Sequence, residues 1–540
     1  MLARILSAFT AALLLVGLSS PARADWYRAD TQHFTIYSDG SERKLEEFAH
    51  EVEKFDALLR TIFNRPAKDG PNKLTIYVLS NSRQVGTLLG SRTVAGFYSP
   101  RITGSFAVAN REHGSRKTDL DGQTILFHEY AHHFMFRNFS TPAPSWFVEG
   151  FAEYVSTVEF DKDGSWTFGK PANHRAFEVQ YYGNVSVRRL LEGDSGDDNI
   201  KGFYGWSWAL THMLYSQEYQ RGDLSSEYFK RLNAGEEPLA AAEASFGDLD
   251  DLQRDLRRYV RRSMSYSKSP KPMPYFDDIE VTRLSDVEGD TAELTMRRLS
   301  GYKLAKTRDD LAKIAARADA PAETFYQLAE AEYALAHRES AGEARYNFGA
   351  AHAAVDRALA TDAGHVGANV LKGRLFLEPF DHEEMGENPD EGLWAQARKY
   401  FLAANKTDPL APAPLYYYAQ TFVRQGEDHE MINPALSSAF ERIPEVREVR
   451  FAYAFDLARV GQHDLGIRIL EVLAGNPHSG AGTREAIDVI RQMKEAGVTG
   501  TFRVFGEEED FEEPEDDDED EDGGEDGESA LHRHEARIGA

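Results

Sequence analysis

The chain has 540 residues, of which 41% are hydrophobic and 11% aromatic, enough to bury more than one core and to exclude a wholly disordered protein. Its 61 basic and 89 acidic residues give a formal net charge of −28, and so acidic a surface repels phosphate backbones, which argues against a nucleic-acid partner. Cysteine is absent, which excludes disulfides, thiol nucleophiles and Cys-ligated metal sites.

Residues 1–24 have the pattern of a secretory signal peptide. Arg4 precedes an apolar stretch over residues 5–18, and Ala22-Arg23-Ala24 gives a small-x-small cleavage pattern. The alternative, a buried N-terminal helix, is disfavoured by Pro21. No cysteine follows to carry a lipid, and no later segment reaches the roughly 18 apolar residues of a transmembrane helix. We therefore expect an exported, soluble bacterial protein, periplasmic or secreted, without a membrane anchor.

Residues 25–266 alternate between strand and helix patterns. Strands are predicted at 33–37, 74–79, 95–98 and 106–109, and helices at 45–59, 123–136, 145–155, 204–215 and 249–266. Because the strands come first and the helices later, the sequence predicts an α+β domain with a mixed sheet and a helical lobe. The Pro-rich stretch that follows predicts a linker over 267–315 with one strand.

Residues 316–495 are predicted to form an all-α array of repeats. Small and large residues recur at fixed offsets, as in Ala351/Val355/Ala358, Ala397/Phe401/Ala404 and Gly466/Leu470/Leu473. Gly426 and Gly461, 35 residues apart, are expected in the turns between paired helices. The array resembles the tetratricopeptide family, with an irregular helical bundle as the alternative.

The segment 496–540 is predicted to be a disordered tail. It carries 17 acidic residues and no basic one between Glu507 and Glu528. A solvating role is the default interpretation, with cation binding or a basic partner as alternatives.

The segment that indicates a chemical function is His128-Glu129-x-x-His132. On a helix, residues four apart share one face, so both imidazoles can reach one ion, and Glu129 lies close enough to contact a water on it. A second helical segment places Glu149 seventeen positions after His132. A catalytic zinc requires three protein ligands and one open position.

This pair of motifs, with Trp146 three residues before the Glu149-Gly150 pair, resembles the gluzincin zinc metallopeptidases, and among them the peptidase-MA-like domains of exported bacterial proteins. The resemblance covers about residues 26–262. It implies one zinc per chain, bound by His128, His132 and Glu149, with Glu129 as general base. Mn²⁺ or Fe²⁺ would also suit two His and one Glu. The spacing to Glu149 is shorter than in the aminopeptidase branch, so exopeptidase specificity is not implied.

Further residues complete the expected site. Glu153, one helical turn after Glu149, is expected to orient a ligand imidazole, the alternative being a solvated helix residue. In gluzincins a Tyr or His of a later helix stabilises the oxyanion. Tyr204 is the candidate for that role here, and His212 is the second candidate. The alternative for Tyr204 is an aromatic residue of the core. His133 points away from its neighbour and is not expected to be a ligand. The strands within residues 97–108 are expected to bind extended peptide by strand addition.

Two main hypotheses follow. The first is an exported zinc-dependent peptidase whose repeats recruit a protein substrate or partner. The second is a non-catalytic repeat scaffold with a vestigial metal-binding domain. A chance H-E-x-x-H on a structural helix is the third interpretation, and the partner motif at Glu149 argues against it.

Overall fold

The computed structural model describes residues 25–66, 72–90, 94–112, 121–139, 142–182, 185–192, 202–216, 218–219, 221–340, 347–381, 390–474 and 480–496. The predicted signal peptide and nearly all of the predicted acidic tail lie outside these ranges. Within them, no helix combines the length and the apolar composition needed to cross a bilayer.

A mixed six-stranded sheet forms the first layer of the fold, in the order β4-β5-β3-β2-β1-β9. Strands β2, β3 and β5 are parallel, and the other pairings are antiparallel. A second sheet has the order β6-β7-β8. The strands are β1 (Tyr27–Asp30), β2 (Phe34–Ser38), β3 (Leu74–Leu79), β4 (Phe97–Ser99), β5 (Phe106–Asn110), β6 (Glu159–Phe160), β7 (Trp166–Phe168), β8 (Ser267–Ser269) and β9 (Glu280–Arg283).

Ten helices described before residue 260 cover the sheet and form a helical lobe beside it; with strands β1–β9 we call them the sheet unit. They are α1 (Glu42–Phe63), α2 (Ser82–Leu88), α3 (Gly122–Asn138), α4 (Ser145–Ser156), α5 (Ala176–Tyr181), α6 (Val187–Glu192), α7 (Phe203–Tyr215), α8 (Gly222–Asn233), α9 (Pro238–Phe246) and α10 (Leu249–Tyr259), with a 3₁₀ turn at Asn173–Arg175.

The main core lies between one face of the sheet and the helices α1, α3, α4 and α7, and includes Phe34, Ile76, Phe127 and Phe151. A smaller core covers the other face, where Tyr77 and Phe106 pack with residues of α2. Strand β5 is buried over its whole length because both of its faces are covered.

The second half of the described chain is helical, and consecutive helices pack against each other; we call α11–α22 the repeat array. The helices are α11 (Asp286–Leu299), α12 (Leu304–Ala315), α13 (Ala322–Ser340), α14 (Gly349–Thr361), α15 (Val366–Leu375), α16 (Glu378–Asp381), α17 (Gly392–Thr407), α18 (Pro412–Gln425), α19 (Ile432–Arg442), α20 (Arg447–Arg459), α21 (His463–Ala474) and α22 (Gly480–Ala496).

The residues that indicated repeats occupy the expected places. The three small–large–small sets lie buried on α14, α17 and α21, the second helices of their pairs. Gly426 and Gly461 turn the chain between paired helices with φ values of 72° and 82°, a region that glycine enters without strain. The α+β fold with helical repeats therefore agrees with the prediction.

The interval 267–315 differs from the linker that was predicted. It contains β8, β9, α11 and α12, and α11 begins with a capping box in which Ser285 and Glu288 satisfy each other's backbone amides. The prolines before this helix favoured a linker, but the interval continues the fold with regular strands and helices.

Candidate metal centre

Helix α3 carries the two histidines of the motif. The side chain of Asp121 caps it by accepting the amide hydrogen of Thr124, and apolar neighbours hold the helix against the sheet. Every residue from 125 to 135 is buried except Glu129, which keeps part of its surface exposed. Glu129 is therefore the most exposed residue of the motif.

Helix α4 brings the third group into place. All twelve of its residues are buried, including Glu149 and Glu153. It crosses α7 closely at Gly150, where a Cβ atom would collide with the carbonyl oxygen of Ser207 and the hydroxyl of Thr211. The glycine of the Glu-Gly pair therefore sets the depth at which Glu149 enters the site.

The three predicted ligands converge on one point. The Nε2 atoms of His128 and His132 are 3.0 Å apart, and Oε2 of Glu149 lies 3.5 Å from the first and 3.6 Å from the second. In a tetrahedral zinc site with bonds of about 2.0–2.1 Å, ligand atoms lie about 3.3–3.4 Å from each other. The three groups are fully or almost fully buried. Their spacing and chemistry fit one zinc ion.

Glu153 lies beside the first of these histidines. Its Oε1 lies 3.2 Å from Nδ1 of His128, on the side of the ring opposite the site. Burial raises the pKa of Glu153, but the charges of Arg175, His174 and His128 outweigh burial and hold the pKa well below its usual range. A permanent carboxylate at Nδ1 keeps a proton there and leaves the Nε2 lone pair for a metal.

The carboxylates also act on the imidazole directly. Burial lowers the pKa of His128, but Glu153 and Glu149 raise it well above its usual value. A site that attracts a proton so strongly also attracts a cation, which competes with the proton for the same nitrogen.

Sequence reasoning missed the groups behind Glu153. His174 Nε2 lies 2.8 Å from Glu153 Oε2, and Arg175 donates to Oε1 from Nη2 at 2.7 Å. Arg175 also donates to Glu178 at 2.8 Å, and Glu178 accepts the amide hydrogen of Gly205 at 2.8 Å. No local pattern marks these residues, because they come from a 3₁₀ turn and the short helix α5.

Tyr204 and His212 lie on α7, as expected, but in different surroundings. The guanidinium of Arg175 is 4.8 Å from the centre of the buried Tyr204 ring, which links Tyr204 to the network around Glu153. Both ring nitrogens of His212 are engaged, with Tyr259 Oη at 2.6 Å and the Gly169 carbonyl at 2.8 Å. Both ring nitrogens of His212 are therefore already hydrogen-bonded inside the fold.

His133 makes its contact with the sheet. Its Nδ1 lies 2.8 Å from the hydroxyl of Tyr98 on β4, away from the ligand cluster. Burial and the nearby charges of Arg137 and Arg60 lower the pKa of His133 well below its usual value, so the ring is neutral. It ties α3 to the strand at the end of the sheet.

A second buried group of possible ligands lies under α3, and the sequence did not indicate it. His33 Nδ1 is 2.8 Å from Glu53 and 3.4 Å from Asp56. Asp56 already accepts from Arg60 at 2.5 Å and from the Tyr130 hydroxyl at 2.6 Å. Because Arg60 and the Tyr130 hydroxyl already bind Asp56, we interpret this cluster as a hydrogen-bonded support that ties α1 to α3.

Comparisons with known proteins add little. No protein-family model matches the sequence, and no curated protein matches it. Among solved structures, the chain is similar to a thermophilic TPR protein of Thermus thermophilus, with 13% identity and a TM-score of 0.32 over 38% of this chain and 99% of that one. The repeats are seen in the packing of consecutive helices of this chain.

Proposed function

We propose that this protein is a zinc-dependent peptidase that hydrolyses peptide bonds. The observation that carries the proposal is the convergence of His128, His132 and Glu149 on one point next to the partly exposed Glu129. A structural zinc site closes its coordination with four protein ligands, whereas a catalytic site has three and an open position. The set of three with an adjacent carboxylate therefore favours catalysis.

In this proposal the residues have distinct roles. His128, His132 and Glu149 hold the zinc, which when bound acts as a Lewis acid and makes a water molecule more acidic. Glu129 accepts a proton from the attacking water and passes it to the leaving amine. Glu153 fixes the tautomer of His128, and Tyr204 donates a hydrogen bond to the developing oxyanion.

The sheet supplies a place for the substrate. Strand β4 stands at the end of the strand order, with β5 on one side and no strand on the other within the described part of the chain. It contacts α3, which carries the motif. An extended peptide can add to such an edge through backbone hydrogen bonds, so the proposed substrate is a peptide or an unstructured protein segment.

The first experiment counts bound metal on the whole chain by mass spectrometry. We expect about one zinc per chain in the wild type, and a loss of at least tenfold in affinity in Glu149→Gln. Glu159→Gln is the matched control, because Glu159 is an exposed carboxylate paired with Lys170. If the wild type, offered zinc after purification without chelator, binds none, the peptidase proposal fails.

A second variant separates catalysis from metal binding alone. Glu129→Gln is expected to retain zinc and to lose about 10²–10⁴ in kcat on a quenched-fluorescence peptide library, because its general base is gone. If the wild type binds zinc but cleaves no better than Glu129→Gln, the domain is a metal-binding scaffold, which is the second hypothesis from the sequence.

A further inference from the structure

One side of the repeat array, formed by the starts of α13, α15 and α18, packs against the sheet unit. We call this side the inner face of the array. The residues that line the space between the array and the sheet unit come from the starts of α13, α15 and α18 on one side, and from β3, the β4–β5 turn and α3 on the other. The space that remains has a volume of about 360 Å³. That volume is near the lower end of the roughly 300–1,000 Å³ of small-molecule pockets, so it does not hold a long extended peptide.

One contact joins the array to the end of the metal helix. Arg450 on α20 is 1% exposed, and its Nη2 donates to the carbonyl oxygen of Phe136 at 2.7 Å, while Nη1 donates to Ile469 in its own unit at 3.2 Å. Phe136 lies in the last turn of α3, where carbonyls have no partner within the helix. A buried cation at the C-terminal end of a helix also interacts favourably with the helix dipole. The array therefore caps α3 across 314 residues of sequence.

A second charged contact lies beside the first. Arg137 of α3 forms an ion pair with Glu445 at 3.2 Å, and the Glu445 side chain is 1% exposed. Nearby, the side-chain amide of Asn72 donates to the carbonyl oxygen of Arg442 at 3.2 Å. A carboxylate as deeply buried as Glu445 needs a partner, and the sheet unit supplies it.

The turn between β4 and β5 adds an apolar contact. Ile102 packs against two clusters of the array, one that includes Tyr416 and Ala419, and another that includes Val370 and Ala413. In the same turn, Arg101 donates to the carbonyl oxygen of Leu299 at the end of α11 at 3.3 Å. The turn therefore packs against residues of both α15 and α18 in the array.

We propose that the inner face of the repeat array is the docking surface for the chain's own sheet unit, with α3 and the β4–β5 turn as its permanent occupants. The partner that this face fits is internal. An external protein that binds the repeats does so on another face. The inference stands on contacts between the two units and does not depend on whether the metal centre is catalytic.

Hydrogen–deuterium exchange on the whole chain tests the proposal. Two variants remove the contact from opposite sides: Arg450→Met from the array and Ile102→Asp from the sheet unit. We expect exchange within residues 98–106 and 127–139 to become at least tenfold faster in both variants. Arg447→Met is the matched control, because Arg447 lies on the same helix and pairs with the partly exposed Glu448 of the array itself.

If exchange in both segments stays at the wild-type rate in Arg450→Met and in Ile102→Asp, the two units do not hold each other. Exchange of α17–α19 is recorded in parallel, since unfolding of the array would accelerate these helices as well. Ile102→Asp leaves the array's own side chains unaltered, so it decides the question if Arg450→Met unfolds the array.

Discussion

Replacing Arg175 with methionine is expected to destabilise the sheet unit more than the loss of a surface residue does. Arg175 is 7% exposed and donates to Glu153 and Glu178, both of which are also buried. Burial lowers the pKa of Arg175, but these two carboxylates raise it well above its usual value, so the guanidinium is the cation that balances them. Removing it leaves two buried carboxylates with fewer partners.

The size of the effect follows from this arrangement. Removing one partner of a buried ion pair costs about 3–5 kcal/mol, most of it from the charge left behind. Glu178→Gln removes one such charge and keeps an oxygen that can accept the amide hydrogen of Gly205. In the double variant, part of the penalty of Arg175→Met is therefore relieved. We expect the two substitutions to be non-additive by about 1–3 kcal/mol.

The assay is urea unfolding followed by tryptophan fluorescence. Five of the six tryptophans report on the sheet unit: Trp26, Trp146, Trp166, Trp206 and Trp208. Arg188→Met serves as a control, because Arg188 pairs with Glu243 on the surface, and its unfolding midpoint should match the wild type. A destabilisation below about 1 kcal/mol for Arg175→Met, or additivity in the double variant, would refute the account of a charge-balanced network.

Three further predictions concern the same unit. Burial raises the pKa of Glu53, but the hydrogen bond and charge of His33 outweigh burial and lower it. Glu53 therefore stabilises the fold above its ordinary pKa, and the difference in unfolding free energy between wild type and Glu53→Gln should shrink as the pH falls below 4.5. Gly150→Ala should cost about 1–3 kcal/mol in the urea assay, because the added methyl group collides with Ser207. Tyr204→Phe should lower kcat about 100-fold, and an unaltered kcat would remove Tyr204 from the mechanism.

The sequence predicted the parts of the site that depend on local spacing. His128 and His132 share a helix face because four residues make about one turn, and the Glu149 segment was recognised as a second helix with its own motif. Glu153 follows from the same reasoning, because it lies one turn further along α4. The structure brings these four residues together. For Glu149 the expectation comes from the gluzincin resemblance, because spacing along the chain does not place a second helix beside the first.

The groups that complete the site could not be found in the same way. His174 and Arg175 reach Glu153 from a turn 21 and 22 residues away, and their side chains are ordinary in type and spacing. Arg450 reaches α3 from 314 residues away. Such contacts are decided by how the units pack, and no periodicity in the sequence records them. The same limit applies to His33, whose partners lie on α1.

The boundary predicted at residue 266 illustrates how closely the two halves of the chain are joined. A fragment that ends there lacks β8, which pairs with β7, and β9, which pairs with β1. It also lacks α11, whose Ala292 and Met296 belong to the core on the second face of the sheet together with Trp26. The backbone amide of Leu284 donates to the carbonyl oxygen of Trp26 at 2.9 Å, so even the first described strand is held by residues beyond the boundary. Because that fragment would expose a sheet edge and an apolar face at once, metal binding and catalysis have to be measured on the whole chain, where the sheet unit keeps the neighbours that complete its core.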